Sequence, residues 1–336
     1  MGGTRRTGLV VLVMLVGALV VPAGAFQWGD GMELTIQGAG PEPPAGSLES
    51  IVIDDLASAV MLSGVPTSNW TYGCSATSAG MIFGYYDRHG YGNLYAGPCN
   101  GGLAPVSDLG NQCSIIATRQ GFDGRSTRGH VDDYWISYQS TGPDPWEGQG
   151  TEHAWGDCTA DYMGTNQWKW DFIGGDGVKD FNVDGATALF SYSSADRLYD
   201  YTPPASAGLP QTELCHGMRL FAESRGYQVL ENYTQKIDAL YSGGFSLADY
   251  RAEIDAGYPV MIQLQGHSMV GVGYESSTQN VYVHDTWDNN VHSMTWGSSY
   301  GGMQHRGVTV IHIVPEPSML LLVAAALAGM ARRRRR

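Results

Sequence analysis

Cys74 stands where a thiol can act as a nucleophile. The run Tyr72-Gly73-Cys74-Ser75-Ala76-Thr77 changes from a turn to a helical pattern, and no other cysteine has this setting. A helix N-terminus lowers the pKa of a thiol and so favours the reactive thiolate. Gly73 allows the backbone to approach a substrate closely. A cysteine at a buried helix start is by itself more often a packing residue or half of a disulfide, so the chemistry needs partners.

Two partner residues follow in a predicted C-terminal hairpin. His267 precedes a strand over Met269 to Tyr274, and Asp285 ends the next strand, Val281 to His284. If these strands pair antiparallel about a turn near Ser276, His267 and Asp285 lie opposite each other. The Asp285 carboxylate would then hold one imidazole nitrogen and leave the other for the thiol. Trp287 would cover this contact and exclude water.

The elements that position these residues follow a helix-first, sheet-last order. Cys74 to Tyr86 carries small and apolar residues in helical register. Further helices are predicted at Leu48–Leu62 (with a strand at 51–53 as the alternative), Ser107–Gln120, Gln211–Arg225 and Leu247–Ala256, and strands at Gly174–Ser191, Tyr227–Leu230, Pro259–Gln263 and Val308–Ile313. This order predicts an α+β fold in which the nucleophile helix packs on a C-terminal antiparallel sheet.

The N-terminus reads as a secretory signal, expected to span residues 1–25. Arg5 and Arg6 precede an apolar run from Leu9 to Val21, and Ala23-Gly24-Ala25 forms an A-x-A cleavage site. The mature chain is therefore expected to begin near Phe26, after cleavage by a signal peptidase. A retained membrane anchor is the alternative interpretation.

The C-terminus has three parts: Val314-Pro315-Glu316-Pro317, an apolar stretch from Met319 to Ala331, and five arginines from Arg332 to Arg336. This pattern resembles the PEP-CTERM sorting signal, expected over 314–336. The resemblance implies recognition by an exosortase, transient anchoring in the inner membrane by a transmembrane helix, and release to the cell surface or extracellular matrix. A plain tail anchor is the alternative.

Charge excludes some partners for the body of the chain. The whole chain has 33 acidic and 19 basic residues, and without the charged terminal residues about 32 acidic and 12 basic residues remain. Such an acidic surface repels nucleic acid and anionic membranes.

Five cysteines raise the question of disulfides, because an exported chain meets an oxidising compartment. The simplest account pairs Cys99 with Cys113 and Cys158 with Cys215, and leaves Cys74 as the reactive thiol. The sequence alone leaves this connectivity open.

Several motifs together resemble the papain-like cysteine peptidases, and within them the bacteriocin-leader-processing (double-glycine) peptidases. They are Gly64-Val65-Pro66, the run Trp70 to Thr77, the Tyr258-Pro259-Val260 strand, and Asp285-Thr286-Trp287, which is similar to the Asn-Ser-Trp element of papain. The resemblance covers about residues 65–313, preceded by an N-terminal segment or linker at 26–64 and interrupted by a long insertion at about 90–206. It implies a Cys-His-Asp site that cleaves a peptide or protein substrate without a cofactor.

One departure from the family concerns the oxyanion. Members place a glutamine a few residues before the cysteine, whereas here the nearest amide is Asn69, five residues upstream. Its side chain would join the Cys74 backbone N–H in stabilising the oxyanion. A plain loop asparagine is the equal alternative.

Other functions stay open at this point. A catalytically inactive papain-like module could bind peptide or extracellular polysaccharide through insertion tryptophans, namely Trp135, Trp146, Trp155, Trp168 and Trp170. The same triad could serve a peptidoglycan amidase or acyl transferase. No metal is expected, because His284, Asp288 and His292 fit no zinc spacing and Asp180 to Asp184 is more typical of a turn than of a calcium loop.

Overall fold

The structure is a computed structural model of the 336-residue chain, and it describes part of that chain. The described residues are 31–38, 40, 42–44, 58–71, 73–92, 94, 103–104, 106–108, 115–116, 158–165, 185–202 and 213–315. The predicted signal peptide, the sorting tail beyond 315, the Asp180–Asp184 turn and the five insertion tryptophans lie outside these residues.

Four helices and thirteen strands occur in the described residues. The helices are α1 (Cys74–Arg88), α2 (Thr159–Met163), α3 (Leu214–Ser224) and α4 (Leu247–Asp255). The strands are β1 (Met32–Gln37), β2 (Ala59–Met61), β3 (Thr67–Ser68), β4 (Ser107–Asp108), β5 (Thr187–Tyr192), β6 (Leu198–Tyr199), β7 (Tyr227–Lys236), β8 (Val260–Leu264), β9 (His267–Glu275), β10 (Asn280–His284), β11 (His292–Thr295), β12 (Ser299–Tyr300) and β13 (Met303–Pro315).

One large antiparallel sheet organises the fold. Its nine strands run in the order β11-β10-β9-β8-β13-β7-β6, with β2 paired to β9 and β12 paired to β13. Strands β1 and β5 form a separate antiparallel pair, and β3 and β4 form a short parallel pair. Strand β9 lies near the middle of the large sheet, so the residue at its start is buried between neighbouring elements.

Side chains alternate between the two faces of this sheet and so build two cores. Val270 and Val272 of β9 pack with α1, α2 and α3 on one face, while Met269 packs with α4 on the other. Successive side chains of a strand point to opposite faces, which explains this division. Phe83 of α1 and Phe221 of α3 meet with ring centroids 4.7 Å apart, which ties two helices together on the first face.

The coarse α+β expectation is confirmed, since a large antiparallel sheet is combined with few helices. The helical expectation for Leu48–Leu62 is wrong over its described end, where Ala59–Met61 forms β2 and pairs with β9. A neighbouring strand edge outweighed local periodicity there. Within the expected helix Ser107–Gln120, residues Ser107–Asp108 form β4 instead, paired with β3.

The predicted disulfide between Cys158 and Cys215 is wrong, because both residues are buried thiols in the structure. Cys158 is the N-cap residue of α2, and the Cys215 sulfur lies 3.4 Å from the Asn232 side-chain oxygen. The two cysteines therefore belong to different local environments, and the N-cap position of Cys158 corrects the expectation that only Cys74 stands at a helix start. Cys99 and Cys113 lie outside the described residues.

The expectation of a transmembrane helix is also corrected. Across the described part of the chain, every helix is too short or too polar to cross a membrane. The apolar stretch on which that expectation was based lies outside the described residues.

Candidate active site

Cys74 is the first residue of α1, and the backbone before it is held in an unusual conformation. Gly73 has φ +124°, and a Cβ there would lie 2.6 Å from the Gly185 carbonyl oxygen. The Thr77 hydroxyl donates to the Gly73 carbonyl at 2.7 Å, and it accepts from the Thr71 N–H at 2.9 Å. Glycine is thus required beside the thiol, and Thr77 locks the turn onto the first turn of the helix.

The Cys74 sulfur meets the start of β9. The Ser268 backbone N–H donates to Sγ at 3.4 Å, and the Cys74 side chain is fully buried. Next to it, the Ser75 and Ser268 hydroxyls are 2.9 Å apart, and Ser268 donates to the Gln263 side-chain oxygen at 2.7 Å. The sulfur therefore lies at a helix N-terminus and accepts a hydrogen bond from a strand N–H.

His267 precedes Ser268 and is the first residue of β9. Its Nε2 lies 2.9 Å from the backbone carbonyl oxygen of Asp285, and its ring stacks on Trp287 at 4.1 Å with an interplanar angle of 4°. A carbonyl oxygen only accepts hydrogen bonds, so Nε2 carries the proton. Among the described residues Nδ1 has no hydrogen-bond partner, although it is buried. The neutral ring thus offers an unprotonated Nδ1 as a base.

The expected contact between the Asp285 carboxylate and the imidazole is corrected by this geometry. The carboxylate accepts from the Trp287 backbone N–H at 3.0 Å and from the Tyr300 hydroxyl at 2.8 Å, while the backbone carbonyl holds the ring. In the β9–β10 ladder the last paired residues are His284 and Val270, and a register shift lies between Tyr282 and Val283. Asp285 therefore lies beyond the ladder. Its side chain is directed to the following loop instead of to His267.

Burial sets the protonation states of His267 and Tyr300. Desolvation lowers the pKa of His267 to about 3, against a smaller upward effect of the hydrogen bond to Asp285. The imidazole is therefore neutral in the closed site over the physiological pH range. Burial, and then the neighbouring Asp285 carboxylate, raise the pKa of Tyr300 well above its usual range, so Tyr300 stays a hydrogen-bond donor.

Asn69 and Trp287 occupy different surroundings. Asn69 is exposed, and its backbone carbonyl accepts from the Thr71 hydroxyl at 2.9 Å. Trp287 is half-buried between His267 and the chain before β2, where its Nε1–H donates to the Gly40 carbonyl at 3.0 Å. Trp287 thus stacks on one face of the imidazole, while the side chain of Asn69 keeps access to solvent.

Asp285, Asp288 and His292 each direct one ligand atom to within 4.8 Å of the others. His292 Nε2 lies 3.0 Å from an Asp288 oxygen and 3.5 Å from an Asp285 oxygen. These contacts make the three residues a hydrogen-bonded cluster that stabilises the loop after β10.

Tyr300 and Ser268 are residues that the sequence reasoning missed, and His292 was considered there only as a metal ligand. Tyr300 lies in the short β12, fifteen residues after Asp285, and no motif marks it. Ser268 follows the proposed histidine directly, and that adjacency is the one signal the sequence offered.

Comparison with protein families supports the resemblance found in the motifs. Residues 197–305 match the Peptidase_C39 like family, and residues 314–336 match the PEP-CTERM protein-sorting motif. The chain therefore carries a Peptidase_C39-like region and a PEP-CTERM signal, which supports an exported protein processed at its C-terminus at the cell envelope or surface. No curated protein and no solved structure matches the chain. The matched region contains His267 and Asp285, whereas Cys74 precedes it.

Proposed function

We propose that this chain is an exported cysteine peptidase-like hydrolase that cleaves peptide bonds with Cys74, His267 and Asp285. One observation carries the proposal: the Cys74 sulfur accepts a hydrogen bond from the backbone of Ser268, the residue that follows His267. The buried thiol at a helix start contacts the residue that follows a histidine whose buried Nδ1 has no hydrogen-bond partner among the described residues. The proposal requires the sulfur to reach that Nδ1 when substrate binds.

The mechanism follows from these groups. His267 Nδ1 takes the proton from the Cys74 thiol, and the sulfur attacks the carbonyl carbon of the scissile peptide bond. The resulting imidazolium then gives the proton to the leaving amine as the C–N bond breaks, which leaves a thioester on Cys74. Water, deprotonated by His267, attacks this thioester and releases the acid and the thiol.

Asp285 acts in this mechanism mainly through its backbone. Its carbonyl holds Nε2–H of His267 and thereby keeps Nδ1 as the base. Its carboxylate, anchored by Tyr300 and the Trp287 N–H, fixes the loop that carries this carbonyl. We assign the oxyanion to the Cys74 backbone N–H, with Asn69 as the second donor once substrate is bound.

The proposed architecture is papain-like over residues 65–313, with the nucleophile helix packed on the C-terminal sheet. Support comes from the α1 side chains that share a core with β8 and β9, such as Ile82 with Met261 and Val270. The Peptidase_C39-like match favours a peptide substrate over the sugar-binding alternative. The sorting motif implies an exosortase as a processing partner.

The test is hydrolysis of a peptide library by the purified chain, with cleavage products read by mass spectrometry. Cys74→Ala should lower the rate at least about 1000-fold, because no other group replaces the nucleophile. Cys158→Ala is the matched control, since it removes a thiol that is also buried at a helix start. The control should keep the wild-type rate.

Two outcomes would refute the proposal. One is equal hydrolysis by Cys74→Ala and the wild type, which would assign the cleavage to another residue. The other is a wild-type chain that cleaves no member of the library even after Cys74 has been shown to react with a thiol reagent.

A further inference from the structure

We propose that Gln263 is a positioning residue of the candidate active site: through Ser268 it directs the hydroxyl proton of Ser75 away from the Cys74 sulfur. These four side chains are buried, each with at most 1% of its surface exposed. The catalytic meaning of this inference rests on the proposed function, whereas the hydrogen bonds and their test are independent of hydrolysis.

The orientation of the Gln263 amide is fixed by its surroundings. The Gln37 side chain lies 3.2 Å from the Leu264 carbonyl oxygen, and because a carbonyl only accepts, the Gln37 atom there is Nε2. The same Nε2 lies 2.8 Å from the Gln263 side chain, so the Gln263 atom that faces it is the acceptor Oε1. On its other side, Gln263 Nε2 donates to the Thr309 hydroxyl at 2.9 Å. Turning the amide over would place two donors against each other.

The two serine hydroxyls take their direction from this amide. A hydroxyl has one proton to donate. The Ser268 hydroxyl lies 2.7 Å from Gln263 Oε1, and its proton is used there because an amide oxygen cannot donate. In the 2.9 Å contact between the Ser75 and Ser268 hydroxyls, the donor is therefore Ser75. The chain of hydrogen bonds thus runs in one direction, from Ser75 through Ser268 to Gln263.

This direction affects the ionised form of the Cys74 thiol. The Ser75 oxygen lies 4.0 Å from the sulfur, but its single proton is directed to Ser268. A proton donor that turned to the sulfur would stabilise the thiolate. It would also make the thiolate less reactive, because the nucleophilicity of sulfur falls as its pKa falls. Gln263 therefore sets the balance between the amount of thiolate and its reactivity.

The test measures how fast iodoacetamide alkylates Cys74 in the full-length folded chain from about pH 6 to about pH 10, a range that brackets ordinary thiol ionisation. Peptide mass spectrometry reads the modified residue. Ser268→Ala keeps the backbone N–H on the sulfur and removes the acceptor of the Ser75 proton. The freed Ser75 hydroxyl is then expected to turn to the thiolate.

The expected result is a crossing of the two pH profiles. One added donor should give about tenfold more thiolate at pH 7, while the lower basicity makes each thiolate about threefold less reactive. Alkylation of Cys74 should thus become about threefold faster at pH 7 and about threefold slower at the upper end of the range.

The crossing separates positioning from loosening of the fold. A variant that is only loosened reacts faster at every pH, and the buried thiols of Cys158 and Cys215 then accelerate as well. His267, the titratable neighbour of Ser268, stays neutral in the folded chain over this range, because burial lowers its pKa to about 3. The shape of the profile therefore reports on the Cys74 thiol.

Two further variants test the direction of the chain. Gln263→Met releases the Ser268 proton without changing either serine, so it should give the same crossing and serves if Ser268→Ala does not fold. Adding Ser75→Ala to either variant removes the hydroxyl that turns and should abolish the crossing. Thr309→Val is the matched control, since it removes a buried hydroxyl that binds the nitrogen of the same amide, and it should keep the wild-type profile.

Three results would overturn the proposal: profiles that stay parallel in the folded variants, a crossing that persists after Ser75→Ala is added, or the same crossing in Thr309→Val. Failure of the proposed function has a different signature. In that case the crossing appears as expected, and Cys74→Ala still hydrolyses peptides at the wild-type rate.

Discussion

Replacing Tyr300 with phenylalanine removes one hydroxyl group and keeps the ring. In the folded protein that hydroxyl donates to the Asp285 carboxylate at 2.8 Å, and Asp285 is only 1% exposed. The carboxylate keeps the Trp287 N–H and a His292 contact at 3.5 Å, but one of its oxygens loses its closest donor. A hydrogen bond to a buried charged group contributes about 1.5–3 kcal/mol, so Tyr300→Phe should lower the free energy of unfolding by about that amount.

The matched control is Tyr274→Phe. The Tyr274 hydroxyl donates to an Asp255 carboxylate oxygen at the same distance, 2.8 Å, but Asp255 is exposed. Water replaces the lost donor there, so the expected loss is below about 1 kcal/mol. Urea denaturation of the two variants and the wild type measures both values.

A second readout separates a positioning role from a purely structural one. If the carboxylate fixes the loop whose carbonyl holds His267, Tyr300→Phe should also change the pH dependence of Cys74 alkylation, and Tyr274→Phe should not. Losses of stability that are equal in the two variants, with identical alkylation profiles, would refute the reasoning that Asp285 acts through its loop.

Three further predictions concern backbone strain, acid stability and helix capping. Gly73→Ala should destabilise the fold by about 3 kcal/mol more than Gly90→Ala in thermal unfolding, because both have positive φ but only the first would meet a carbonyl oxygen, at 2.6 Å. Burial lowers the pKa of His305 to about 3, so below about pH 6.5 the unfolded chain binds a proton that the folded chain does not. The free energy of unfolding therefore decreases as the pH is lowered. Between pH 7 and 5, His305→Phe should therefore lose about 2 kcal/mol less than the wild type by urea denaturation; equal losses would contradict this. Ser246→Ala removes the hydroxyl that caps α4 and should cost about 1 kcal/mol in the same assay, and no change would show that the cap contributes nothing.

Local patterns were sufficient for several elements near the site. The helix predicted from Cys74 to Tyr86 is α1, and the helix predicted after Ser246 is α4 with its capping box. The strands predicted around Met269 and Val281 are β9 and β10, joined by a turn at 276–279. These elements depend on side-chain periodicity, caps and turn residues, which act over a few residues and can be read from the chain.

Strand pairings across long separations could not be read in this way. Strand β1 pairs with β5, which lies 150 to 160 residues later, and β2 joins the edge of β9 although its segment has helical periodicity. Pairing partners and burial determine whether such short segments become strands. Cys158 and Cys215 are a similar case. The number of cysteines in the chain suggested a disulfide between them, but in the structure each is a thiol with its own local contacts.

The sequence by itself determined which groups are available for chemistry: a cysteine at a helix start, and a histidine and an aspartate at the ends of two adjacent strands. The tertiary structure decided how these groups meet. Because the β9–β10 ladder ends at His284 and contains a register shift, Asp285 presents its carbonyl to His267 and its carboxylate to Tyr300. It also brought Gly38 and Gly40, from the far N-terminal side, to Gly266 and Trp287, a contact that no spacing in the sequence encodes.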